Sequence, residues 1–367
     1  MVFPVAAVFL ATLRASDCQT SPAFQASHGR ALRQDLPRSQ REQSYQSVLT
    51  VCPHEIRLYA EYGDFLLSQK DFSQALAWID KGLKLAPAAP DLRLKKVEAL
   101  LPLGRAHDAL ETLRTLPPNA QSAFYRGLAQ RILQDHADAR DAFRSAWQLG
   151  YRDPYVLYSL VQEDYALGDK AGGLEDFQLL LQKFPDSAWV HQLLGDAYFS
   201  KDKNDDARRE YRQALAIKND LLNVNFRLGY MAFQEGDGVS AAKYFRREVA
   251  LNPGYADARV FLAETLLGLD RKEDALVQLR TALTLDPGSE LVYRRLATAL
   301  TETHQPQEAV AILRKAEARF PQDPAFPAQL SRLLTTLHDT RSAEKEASRA
   351  RKLTVEQHRK QEIAPLK

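Results

Sequence analysis

The sequence predicts an all-α repeat protein, an elongated solenoid of helix-turn-helix units that leaves a long groove exposed. Three observations carry that prediction. Small residues recur at a stride of 34, at Ala75 and Ala109 and again at Ala139, Gly173, Ala207, Ala241, Ala275, Ala309 and Ala343. Twelve positions before each lies a second small residue (Gly63, Gly127, Gly195, Gly229, Ala263, Ala297 and Ser331), with Val97 and Val161 as larger exceptions. Four positions after come bulky apolar side chains, Ile79, Leu113, Phe143, Phe177, Tyr211, Phe245, Leu279 and Leu313. Spacings of three and four define a helical face; small residues let two helices approach and large ones fill the gap between them.

Each unit reads as helix, short turn, helix, stop. Breakers fall where the turns are due, at Gly104-Arg105, Gly168-Asp169 and Gly236-Asp237-Gly238. Pro53, Pro87, Pro185, Pro253, Pro287 and Pro321 close units, because proline cannot continue a helix and biases its predecessor away from helical backbone. In chain order, residues 1–21 form an apolar leader expected to lack fixed order, and 22–55 a degenerate first repeat. In that repeat Gly29, Tyr45 and Val48 are in register, but Arg41 stands where the alanine is due. Regular repeats fill 56–353, and 354–367 is a polar cap and tail. The step from Ala109 to Ala139 is 30, and Leu116-Pro117-Pro118 ends a second helix early, so an irregularity is expected there.

The offsets resemble those of the tetratricopeptide repeat family. The unit from Ala188 to Asp220 displays them in Leu194-Gly195, Tyr198, Ala207, Tyr211 and Ala214, with Asn219 where proline is usual. The resemblance covers about nine-tenths of the chain and implies a right-handed superhelical solenoid of about nine to ten units. It further implies a non-catalytic scaffold that binds a protein or peptide in a concave groove lined by the first helix of each unit. In the family, the second, fifth, ninth and twelfth places of a unit point into that groove. Carried over, these places select Tyr155, Tyr158 and Gln162, then Trp189, Gln192 and Asp196, then Asn223, Phe226 and Tyr230. Tyr158, Trp189, Phe226 and Tyr230 are expected to face a partner, whereas the twelfth-place Tyr165, Phe199, Phe233 and Leu267 are expected to pack between helices. Aromatic anchors suit this role because they bury much area with few rotors to freeze. The lysines and asparagines with which relatives capture a chaperone's C-terminal carboxylate are replaced by Gln192, Asp196, Phe226 and Tyr230, so no such binding is expected. Nor is there an asparagine ladder like that of sugar-transferring relatives.

Composition narrows the function classes. With 49 basic and 47 acidic residues the net charge is +2, which leaves no electrostatic footprint for nucleic acid. None of the eight histidines forms a zinc-type pair on one helical turn, so neither metal nor cofactor is expected. Gly168-Asp169-Lys170-Ala171-Gly172-Gly173 is glycine-rich, but it falls at an inter-helix turn with no preceding strand, which is not the setting of a phosphate loop. Val2–Leu13 has the length of a secretory signal core without a basic leader, and at about 12 residues is too short to span a bilayer. Two localisations therefore stand, cytoplasmic, or periplasmic or secreted if that run is a signal. The second would suit an exported assembly factor of a bacterial-type cell-envelope complex. Cys18 and Cys52 lack metal spacing and could bridge only in an oxidising compartment.

Overall fold

The computed structural model describes residues 18–363, among which there are twenty helices and no strand. The chain forms two compact units, Met1–Pro185 and Asp186–Lys367. The first contains α1 (Pro22–Leu32), α2 (Arg38–Val51), α3 (Ile56–Ser68), α4 (Phe72–Leu85), α5 (Pro90–Leu100), α6 (Ala106–Arg114), α7 (Ala120–Ile132), α8 (His136–Gln148), α9 (Pro154–Ala166) and α10 (Lys170–Lys183). The second contains α11 (Ala188–Phe199), α12 (Asn204–Ile217), α13 (Val224–Gln234), α14 (Gly238–Leu251), α15 (Ala256–Gly268), α16 (Lys272–Leu285), α17 (Glu290–Glu302), α18 (Pro306–Arg319), α19 (Ala325–Thr336) and α20 (Thr340–Ile363). Odd-numbered helices are the first and even-numbered the second of each pair.

The 34-residue rows pack against one another. A Cβ placed on Gly127 would lie 2.6 Å from the Phe143 ring, one on Gly195 2.6 Å from Tyr211, and one on Gly229 2.9 Å from Phe245. Glycine is thus required where an aromatic ring crosses the partner helix. Where the opposing residue is Leu279 or Leu313, Ala263 and Ala297 suffice, and all four are buried. Ser331 turns its hydroxyl to the Ala343 carbonyl at 2.8 Å. The pair α9–α10 departs from this scheme: Val161 fills the small position, and Phe177 is left half-buried while Phe143, Tyr211 and Phe245 are wholly buried.

The turns repeat as strictly as the core. Lys70, Gly104, Gln134, Gly168, Asp202, Gly236, Asp270, His304 and His338 all adopt positive φ, at the same 34-residue stride apart from the shortened step. Each ends a first helix in a left-handed cap; for α7, Gln134 N donates to Arg131 O and Asp135 N to Gln130 O, both at 3.0 Å. The next residue often caps the following helix. Asp71, Asp135, Asp169, Asp237 and Asp339 accept from backbone N–H groups in the first turns of α4, α8, α10, α14 and α20.

Three irregularities have local causes. In the degenerate first pair, Arg41 reaches past the alanine position, donating from Nε to the Ala31 carbonyl at 2.9 Å with its guanidinium 4.4 Å from the centre of the Phe65 ring. The expected early stop gives α6 only nine residues, and α7 restarts from an Asn119–Ser122 capping box. Helix α13 begins at Val224, after Leu221 has been buried where the unit closed by Asn219 lacks its proline. The expectation of disorder around Cys18 is corrected: Cys18 is buried and bonded to Cys52, with Cα atoms 5.7 Å apart, so the start of the first repeat is stapled to the end of α2. The apolar run Val2–Leu13 lies outside the described residues.

Candidate partner-binding face

The site is assembled by the first helices, and each unit presents its own. In the first unit, Asp153 caps α9 by accepting from Tyr155 N at 2.8 Å. The Tyr155 ring lies stacked 5.7 Å from that of Tyr158, and its hydroxyl accepts from Arg131 at 3.1 Å. Arg131 also donates to Glu163 at 2.5 Å, and His136 contacts the other Glu163 oxygen at 2.7 Å. Tyr155 and Gln162 are half-buried, whereas Tyr158 is buried at 9 % exposure. Tyr158 therefore shapes the wall from behind more than it presents a surface.

In the second unit, Ser187 caps α11 through Trp189 N at 3.1 Å. Trp189 is half-buried, and Gln192 is buried with its Nε2 donating to the Leu222 carbonyl at 3.5 Å. Asp196 accepts from the Tyr211 hydroxyl at 2.7 Å and lies 3.5 Å from Arg227. Burial pushes its carboxyl above the ordinary range, against the opposing pull of Tyr211 and Arg227. Phe226 sits among Tyr255, Phe261 and Phe245 at ring distances of 5.2, 5.5 and 5.7 Å. Tyr230 meets Phe261 edge-on at 5.4 Å and Phe199 at 6.3 Å. Both remain half-buried, so one edge of this aromatic cluster is accessible.

Asn223 does not lie on a helical face. It is the exposed N-cap residue of α13 with φ 67°, and its N–H donates to Glu248 at 2.9 Å. The same carboxylate accepts from Phe226 N at 3.3 Å, so Glu248, wholly buried on α14, holds the start of the helix that carries Phe226 and Tyr230. Tyr165, expected between helices, is instead 54 % exposed, while Phe199, Phe233 and Leu267 are half-buried.

The sixth place of six units makes contacts on this face that the transferred positions missed. In six places along these faces the ninth place of one first helix meets the sixth place of the next. Asp64 accepts from Lys95 at 2.6 Å and Glu98 from the Tyr125 hydroxyl at 2.5 Å in the first unit. Asp196 and Arg227, Tyr230 and Phe261, Glu264 and Arg295 (2.5 Å), and Thr298 and Gln329 (3.0 Å) continue the series in the second. A sequence signal for it exists: residues 31 apart, or 27 across the shortened step, that are complementary in charge, hydrogen bonding or aromaticity. Contact at this offset fixes the side chains of adjacent first helices against one another and makes the face a rigid surface. Among the described residues no three His, Cys, Asp or Glu side chains are grouped to hold a metal ion, and no helix is long and apolar enough to cross a membrane.

A tetratricopeptide repeat profile matches residues 66–132, 232–300 and 273–328, and a second TPR repeat profile matches 195–236. The TPR repeat-containing protein YpiA of Bacillus subtilis is 23% identical over 77% of this chain and 66% of its own length. The human protein O-mannosyl-transferase TMTC1 is 25% identical over 69% of this chain, which spans only 25% of that protein. Among solved structures, the APC/C hetero-tetramer Cut9-Hcn1 matches 88% of this chain and 65% of its own, with a TM-score of 0.56 at 16% identity, a likeness of fold.

Proposed function

Because this chain belongs to the tetratricopeptide repeat family, whose fold generally serves as a non-catalytic scaffold for protein–protein interaction, we propose that it holds a peptide segment or partner surface in the groove formed by its first helices. The observation that carries this reading is the half-buried aromatic cluster of Phe226, Tyr230 and Phe261, seated on a face whose neighbouring side chains are already engaged. Such a surface loses little side-chain freedom on binding. In the second unit Trp189, Asp196, Phe226 and Tyr230 supply the contacts, with Gln192 behind them and Asn223 at their flank; the first unit offers a face of its own in Tyr155 and Gln162, with Tyr158 behind. Pull-down with mass spectrometry, comparing wild type with the Phe226→Ala/Tyr230→Ala double variant, tests it. Partner capture should be lost while far-UV circular dichroism stays helical. Undiminished capture by a folded variant refutes the assignment.

A second reading, an exported assembly factor of a bacterial-type envelope complex, is favoured by the Cys18–Cys52 disulfide, since such bonds persist in oxidising compartments and are rare in the cytosol. N-terminal sequencing and non-reducing mass spectrometry of the protein from its native cell decide it. An intact Met1 together with reduced thiols rejects this reading.

A further inference from the structure

The series of ninth-to-sixth-place contacts in the second unit ends at Arg332, the ninth-place residue of α19. Among the described residues no sixth-place partner meets it and no carboxylate lies within 4 Å of its guanidinium. Arg332 lines a cavity of about 480 Å³ with Leu291, Arg294, Arg295, Thr298 and Gln329. Three arginines thus line one recess whose lining contains no acidic residue, and α19 itself carries none. Arg295 is engaged with Glu264 at 2.5 Å. Arg294 lies 3.5 Å from Glu290 of its own helix, an exposed pair of little strength, and 5.9 Å from the Phe326 ring centre. Two cations therefore stand ready for an anionic partner.

We propose that the second unit docks an acidic peptide segment, whose carboxylates are received by Arg294 and Arg332 while Leu291 takes an adjacent apolar side chain. The proposal rests on the groove reading above and adds the chemistry of the occupant. Guanidinium forks match carboxylates in geometry and charge, Thr298 and Gln329 offer hydroxyl and amide groups beside them, and the apolar flank favours a peptide over a bare anion. The aromatic edge of Phe226 and Tyr230 lies on the first-helix face of the same unit, so an occupant with alternating apolar and acidic residues matches both features.

The test is fluorescence anisotropy on the full chain with two labelled decapeptides, one alternating leucine and glutamate and the other leucine and lysine. The glutamate peptide should bind at least tenfold tighter, with an affinity that falls as salt rises. The Arg294→Gln/Arg332→Gln variant, altered only at solvent-accessible side chains, should bring the two affinities within about threefold of each other. Equal binding of both peptides by the wild type overturns the acidic assignment and leaves groove capture standing. Failure to bind the glutamate peptide, an unchanged preference in the variant, or tighter binding of a labelled uridine decanucleotide also overturns it. Failure of the groove reading itself would show separately, as partner capture undiminished in the Phe226→Ala/Tyr230→Ala variant.

Discussion

Two kinds of residue carry the packing, and both make sharp predictions. Gly195 has a ring where its Cβ would be, 2.6 Å away, and that ring is anchored through the Tyr211 hydroxyl to Asp196 at 2.7 Å. Gly195→Ala should therefore cost about 2 kcal/mol in denaturant unfolding, because the ring cannot retreat without breaking that bond. Glu248 is a buried carboxylate whose value is raised by burial and restrained by the Asn223 and Phe226 N–H groups. Glu248→Ala removes two acceptors from the N-terminus of α13 and should destabilise by about 2 kcal/mol, with faster amide exchange at the start of α13 as the local readout. The glycine row is legible in the sequence as a periodicity. The role of Glu248 is not, since its partners lie 22 and 25 residues away and are backbone atoms.

At the scale of the element, the inter-helix turn and the α8–α10 packing set the local energetics. The left-handed caps at Gln134 and Gly168 occupy the same place in successive turns, with φ of 61° and 77°. Gln134→Gly should gain about 0.5 kcal/mol and Gly168→Ala should lose about 1 kcal/mol, opposite signs from one backbone requirement, measurable by thermal unfolding of both variants. The α9–α10 pair buries Asp164 completely, 3.6 Å from Arg140 and 3.8 Å from Arg144 of α8, with Asp176 of α10 beside it. Burial first, and then the neighbouring Asp164 carboxyl, push Asp176 up from 3.8 to about 6, against the pull of Arg144 at 3.3 Å. The folded state thus holds this proton more tightly than the unfolded chain. Its contribution to stability is full below about pH 4 and is lost as the pH rises through about 6. Asp176→Asn keeps the group neutral, so it should stabilise on the order of 1 kcal/mol at neutral pH and change little near pH 4. A melting-temperature series across that range checks both the sign and the window. The Gly-Asp turn signals before α10 and α14 were readable as breakers. Those at Lys70, Asp202 and His304 were not, because non-glycine residues occupy the same backbone state.

At the scale of the molecule, repeat packing makes stability additive and leaves the ends in need of separate anchoring. The first repeat is held by the Cys18–Cys52 bond across 34 residues, and α20, the last helix among the described residues, runs 24 residues to Ile363. Reduction, or Cys52→Ser, should lower the stability of the first repeat by about 3 to 4 kcal/mol on the chain-entropy account, seen as faster exchange of α1 amides. The 34-residue stride determined the helical class, the pairing of helices and the places of the turns, because each depends on contacts at fixed short separation that repeat nine times over. Even the irregular α6 followed from a missing four residues and a proline pair. What occupies the faces was decided in three dimensions. Tyr158 and Gln192 turned inward, Tyr165 outward, and Asn223 fell off the helix that began two residues late, since a side chain's exposure depends on the size of its neighbours across a helix interface. The cross-helix series, which leaves Arg332 without a carboxylate partner among the described residues, emerges only when first helices are laid side by side, because charge and ring complementarity act through space and not along the chain.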